Sequence, residues 1–402
     1  MMYPVYHAKG NMELLRRRYI HSMCDRWLRN GLLMRVCLLG LGISFVGANP
    51  SEQRTVPTLD GRVGVNPSEQ RYAPALDDRI PTICAKIYRV RQIGLSKDVA
   101  QAPFLIGILQ EAIAKEEKAL EVFRPVRGMP WGAPYNTHLW AATLVALGRL
   151  GVPDSIPTLE AFGSHPYYSH LEPFVRVALA RVKAESATPS PKTYQKWRQR
   201  IERFLDELGM SLSELAHRSQ ELDNRLLSRR PPSLERLALR ALAEMAAEAY
   251  SRGHRDVFHW LDRAGIAWNS DPAAWLCVRL VNLSAEQRVE WLMSQLRTKS
   301  VLRSEDAYLC QALSDLGEIA VDPLQKWLDE LWQERSSESR QSPYTRTDRL
   351  LTECVALLSA TGTANGRSIL VQQYSRCQAD LYLQSNLALI LDQSPWTFTS
   401  DW

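Results

Sequence analysis

The stretch that most constrains this chain lies between residues 139 and 184. Leu139, Ala142, Val145, Ala146 and Leu150 recur at helical spacing and make one apolar face. Ala141, Ala142 and Ala146 are small, so a neighbouring helix can approach closely. Gly151 stands where a helix ends most easily in a left-handed residue. Pro153 blocks continuation, Asp154 or Ser155 is placed to cap a second helix, and Pro157 suits its first turn. Ile156 and Leu159 begin the next apolar face, and Phe174 to Val182 supplies a third helix after a loop. A single hairpin of this kind cannot bury its faces alone, so further copies are expected beside it.

Weaker copies are present. Ile87 to Asp98 precedes Phe104 to Gln110; Leu309 to Ala320 runs into Val321, Leu324, Trp327 and Leu328; Cys354 to Gly362 precedes Ile369 to Val371. Each has an apolar helix, a glycine and a second apolar run. Gly317 and Gly362 stand 45 residues apart, within the roughly 40–47 residues of one class of helical repeat. The order of apolar, small and breaking residues resembles a HEAT repeat. The resemblance implies an all-α fold, an α-solenoid of HEAT-like helical hairpins, divergent in the middle. It specifies a fold, and a fold alone does not specify a function.

Five segments are expected. Residues 1–48 form an N-terminal extension and signal peptide, and residues 49–78 a disordered linker. Residues 79–187 and 301–402 carry HEAT-like repeats around a divergent helical segment, 188–300. In that middle segment the glycine-turn signature is missing by sequence, although Ser233 and Asp271-Pro272 mark helix starts. Thr188 to Lys192, Pro231-Pro232 and Ser336 to Thr347 read as breaks. No strand run is evident.

The net charge of +5 is concentrated at the start. Lys9, Arg16, Arg17, Arg18, Arg26, Arg29 and Arg35 outnumber Glu13 and Asp25 there, and the rest of the chain is balanced. A net basic field for nucleic acid is therefore not expected. Arg35 precedes an apolar run, Val36 to Val46, of signal-peptide length and too short to span a bilayer. Val46-Gly47-Ala48 offers small residues for cleavage before Asn49, which predicts export to the periplasm or beyond. A start at Met23 or Met34 would give a more usual signal. Asn49-Pro50-Ser51-Glu52-Gln53-Arg54 returns as Asn66-Pro67-Ser68-Glu69-Gln70-Arg71, a tandem duplication within the linker. Beyond the signal lie Cys84, Cys277, Cys310, Cys354 and Cys377, irregularly spaced and read as small core residues.

The residues offer no catalytic set. His165 and His170 with Glu172 lie in an expected surface loop without a second ligand pair. His254 and His259 are off the spacing that would put two ligands on one helical face. Walker and dinucleotide glycine patterns are missing, as is a Cys-x-x-Cys-His haem site. No metal ligands or cofactor are expected, and most of the Asp and Glu residues read as solvated helix faces. Among the twelve tryptophans, Trp140, Trp260, Trp275, Trp291 and Trp327 sit beside leucines as core residues. Trp131 and Tyr135 fall in a Pro/Gly stretch and are the candidate contact residues. Trp396, Phe398 and Trp402 read as a tail that caps the last repeat.

The leading expectation is a non-catalytic exported helical-repeat protein that binds a protein or another macromolecule, with a protein partner favoured. The repeats are also similar to those of phycobilin lyases and of HEAT-like DNA glycosylases. A cytoplasmic bilin enzyme conflicts with export, and a glycosylase needs a basic groove that the balanced charge does not supply.

Overall fold

The structure, a computed structural model, describes residues 79–119, 135–222, 232–299, 306–337, 345–377 and 380–392, all within one compact unit, Ala73–Trp402. The fold is all-α, with no strand among the described residues. The segments expected to hold the signal peptide, the duplicated linker and the aromatic tail lie outside the described residues, as does Trp131.

The first half contains α1 (Arg79–Ser96), α2 (Ala102–Ala119), α3 (Tyr135–Leu150), α4 (Ile156–Ser164) and α5 (Glu172–Ala187). The middle contains α6 (Tyr194–Glu207), α7 (Leu212–Gln220), α8 (Leu234–Ser251), α9 (Asp256–Arg263) and α10 (Pro272–Leu280). The last part contains α11 (Ala285–Arg297), α12 (Ala307–Ser314), α13 (Val321–Ser337), α14 (Arg346–Ala360), α15 (Ala364–Arg376) and α16 (Leu381–Asp392). Each of α1, α3, α5, α8, α10, α12 and α14 packs on the next of that series. The remaining helices lie against them as a second layer, as α4 lies against α5 and α13 against α14.

Small residues set the spacing of the first layer. A Cβ added at Gly94 of α1 would lie 3.0 Å from the Cα of Ala146 of α3, and one at Gly148 of α3 would lie 3.3 Å from the Cα of Ala178 of α5. Gly151 turns with φ +65°, and Glu185 closes over it, so a Cβ there would meet the Glu185 Cβ at 2.7 Å. Because Gly148 faces Ala178 and Gly151 faces Glu185, α3 and α5 run in the same direction. Gly94, expected to mark a turn, instead lies inside α1 as a contact point; the left-handed residue ending that helix is Lys97, at φ 52°.

Two further expectations are corrected at the turns. Residues 153–155 form a 3-10 turn, and Ser155 bonds back to the Val152 carbonyl, so neither Asp154 nor Ser155 caps α4. Left-handed glycines are also present in the middle segment: Gly209, Gly253 and Gly265 follow α6, α8 and α9. Ser233 and Asp271 cap α8 and α10 as expected.

Trp327 is buried, and Trp140, Trp260, Trp275 and Trp291 are half-buried against the apolar clusters. Cys310, Cys354 and Cys377 are buried free thiols in agreement with a core role. The His165–His170 stretch is less of a surface loop than expected. Residues Pro166–Leu171 form a 3-10 helix, Tyr168 is fully buried on Phe162, and its hydroxyl donates to the Ala112 carbonyl.

The first described helix meets the last third of the chain. Tyr88 of α1 donates to the Thr361 carbonyl beyond α14 at 3.0 Å, and Arg91 pairs with Asp315 beyond α12 at 2.9 Å. The first-layer helices thus come back on their beginning.

Candidate functional site

Inside that circuit lies a cavity of about 390 Å³. Its wall takes residues from α1, α3, α5, α8, α10 and α12, helices that run from the first described helix to residue 314. Much of the wall is apolar: Val145, Phe174, Val177, Leu237, Leu276 and Leu280 face it, with Ala178, Ala241, Ala273 and Ala312 between them. The alanines leave the space, and the close approach at Gly94 and Gly148 brings the helices near enough to enclose it.

A belt of charge crosses this wall. Arg149 of α3 donates to both Glu244 oxygens at 2.6 and 3.0 Å, and Arg181 of α5 donates to the same carboxylate at 2.5 Å. Arg181 also faces Glu185 at 3.4 Å. Lys97 meets Glu248 at 2.5 Å. Arg240 reaches Asp271 at 3.0 Å, where Asp271 is fully buried and also caps α10 through the Ala274 N–H. Arg91 and Asp315 complete the belt.

Glu244, Glu248, Asp271 and Asp315 are exceptions to the reading of most acidic residues as solvated faces. Glu244 and Glu248 stand one helical turn apart on α8, on the same side as Arg240 and Ala241, so successive turns of that helix look inward. The i, i+4 spacing of Arg240, Glu244 and Glu248 was present in the sequence. Their partners were not legible, because Arg181 and Glu244 are 63 residues apart and Arg91 and Asp315 are 224 apart.

The electrostatics follow from the geometry. Burial alone would raise the Glu244 carboxyl, but the guanidiniums of Arg149 and Arg181 outweigh it and hold the group well below the usual carboxylate range. Asp271 is lowered likewise, with Arg240, the Ala274 N–H and Arg236 overcoming its burial. Cys277 also faces the cavity; burial, with the nearby Glu244 charge, pushes its thiol up to about 12. It stays protonated and is a poor nucleophile.

No protein-family model matches the chain, and neither a curated protein nor a solved structure shows significant similarity to it.

Tyr135 opens α3 at the end away from Gly148, and Trp131 lies outside the described residues. Among the described residues, no group of His, Cys, Asp and Glu is arranged to hold a metal ion, and no helix is long and apolar enough to cross a membrane. Burial lowers the affinity of His170 for a proton.

Exposed large apolar residues gather where first-layer helices end. Leu95 and Val99, at 42% and 54% exposure, flank the end of α1, and Ile319, at 44%, follows α12. The Arg91–Asp315 pair joins those two helices.

Proposed function

We propose that this chain is a non-catalytic, exported binding protein built from HEAT-like hairpins, wound tightly enough that its first and late hairpins touch. Its recognition site is the cavity among the first-layer helices, with Leu95 at its rim, together with the exposed apolar residues Val99 and Ile319 beyond the ends of α1 and α12, and its partner is another protein. The observation that carries the proposal is the convergence of six helices, drawn from most of the chain, on one preformed cavity. Preformed concave sites of about 300–1,000 Å³ with apolar walls and a few placed polar groups are the usual form of a binding site. The charged groups that line it are engaged in ion pairs, and its cysteine is held as the thiol, an arrangement suited to holding a shape. Helical repeats use their inner faces for recognition in the same way. The balanced charge favours a protein over nucleic acid.

Photocrosslinking tests the reading. A benzophenone side chain at Leu95, at the rim, is expected to give a discrete protein adduct in cells that make this chain, whereas one at Val371, exposed on α15, is not. Export is tested alongside by sequencing the N-terminus of the chain recovered outside the cytoplasm, which is expected near Asn49. A rim that gives no adduct, or a chain confined to the cytoplasm with residues 38–46 retained, would overturn the respective half of the proposal.

A further inference from the structure

The wall of the cavity is unusual in combining many charges with no uncompensated one among its cations. Arg91, Lys97, Arg149, Arg181 and Arg240 each have a carboxylate oxygen within 3.2 Å. In the pairings of Glu244 and Asp315 the carboxylate is the more exposed partner, whereas in the Lys97–Glu248 and Arg240–Asp271 pairs the cation is. Glu244 is 26% exposed against 15% for Arg149 and 5% for Arg181, and Asp315 is 24% exposed against 8% for Arg91. At Glu244 and Asp315 an incoming ligand therefore meets the carboxylate before the guanidinium paired with it.

This order discriminates by charge. An anion at Glu244 or Asp315 would face a carboxylate at close range, and elsewhere on the wall it would compete for each cation with the carboxylate already paired to it. A cation could approach the carboxylates, but their charge is already neutralised by the guanidiniums, which would repel it. Either ion would also lose its hydration in a wall made largely of Val145, Phe174, Val177, Leu237, Leu276 and Leu280. An uncharged apolar body loses little on leaving water and gains from that wall. The carboxylate lone pairs still open can accept from a neutral hydroxyl or N–H. Charge-assisted acceptors of this kind make the stronger hydrogen bonds.

We infer that the cavity holds an uncharged, predominantly apolar small molecule bearing a hydroxyl or N–H donor, oriented by Glu244 and Asp315. This rests on the cavity being a binding site, as proposed above, and adds a small-molecule occupant to the protein partner at the rim. The paired guanidiniums fix the two carboxylates, so the donor is read by groups that need not rearrange.

The test uses N-phenyl-1-naphthylamine, an uncharged fluorophore with an N–H donor, and the full chain. Its fluorescence is expected to rise on binding at one site per chain. The rise is expected to be lost in whichever of Ala247→Trp and Ala312→Trp retains the wild-type circular dichroism, since both positions line the cavity. Competition then reads the charge preference. Naphthalene-1-methanol should displace the probe at concentrations at least about tenfold lower than 1-naphthoate or 1-naphthylmethylammonium, a difference set by the cost of desolvating an ion. In Glu244→Gln, which removes the carboxylate between Arg149 and Arg181, the naphthoate should gain on the alcohol by a similar factor. Equal or better displacement by either ion in the wild type would overturn the inference and leave the cavity as a binding site. Failure of the probe to bind, or binding untouched by a folded cavity-filling variant, would overturn both. A protein adduct at Leu95 without any probe binding would preserve the partner reading alone.

Discussion

Two regions of this molecule pack helices in different ways. Across α1, α3, α5 and α8 the contacts are made by glycine and alanine: Gly94 on Ala146, Gly148 on Ala178, and a run of buried alanines along α8. From α12 to α16 they are made by larger groups, among them Leu324, Trp327, Leu351, Leu357, Leu358 and Leu387. The difference decides where charge can sit. Closely spaced backbones let arginine and glutamate side chains cross from helix to helix, so Arg149, Arg181 and Glu244 meet in the cavity wall. Where leucines hold helices apart, the comparable cluster, Arg335 with Asp348 and Asp380, stands beside the capping residue Thr345 at the start of α14. Small residues here do more than permit contact; they place an ion-pair belt around a cavity.

The largest way to break the comparison is to enlarge a contact glycine. Gly94→Leu must push against the Ala146 backbone and is expected to destabilise by about 3 kcal/mol. Gly317→Ala is the matching control, since that turn has φ +61° and open space around it. It should cost only about 1 kcal/mol, the penalty of a left-handed non-glycine residue. Urea denaturation of the two variants reads both numbers, and equal losses would show that the close approach has no special role.

A smaller effect is expected from the ion-pair belt. Glu244→Gln leaves two guanidiniums short of a carboxylate and should cost about 2 kcal/mol at neutral pH. The pH dependence sharpens this. The folded Glu244 group is held below its ordinary value of 4.5, so the unfolded chain binds the proton more readily. Its stabilisation is complete above that ordinary value and is lost as pH falls through the lower folded value. The difference between wild type and Glu244→Gln should therefore shrink on acidification, as melting temperatures across pH 3–7 would record (roughly the window set by the carboxylate range). A constant difference would place the group outside the network.

The smallest effect concerns Cys277. With its thiol pushed up to about 12, it should resist iodoacetamide at pH 8 in the folded protein and react on unfolding. Peptide mapping by mass spectrometry gives the answer, and rapid labelling of the native chain would show that the cavity wall opens more freely than its packing implies.

Much of this architecture was legible in the residues. The helix, turn and second helix around Gly151 and Pro157 are where their conformational preferences put them, and Gly317 and Gly362 both take left-handed turns. The helical caps at Ser233 and Asp271 were equally readable. Other features were hidden because they depend on helix phase across long sequence separations. Gly94 looks like a turn residue locally and is a contact residue only because Ala146 faces it. Glu244 and Asp315 look like surface carboxylates until Arg181 and Arg91 are brought from elsewhere in the chain. Gly209, Gly253 and Gly265 take left-handed turns as well, in a middle segment whose charge-rich helices hide the glycine-turn order. Lys97 had no signal, since lysine has no marked preference for the left-handed turn it occupies.

The central claim is that the first-layer helices return to their beginning and so frame the cavity. A double-mutant cycle between Arg91 and Asp315 tests it most directly, because those residues are 224 positions apart and lie on helices joined only through the closure. Stabilities of Arg91→Ala, Asp315→Ala and the double variant, measured by urea denaturation, should give a coupling of about 1–3 kcal/mol. Additive single effects, with no coupling, would contradict the closed arrangement.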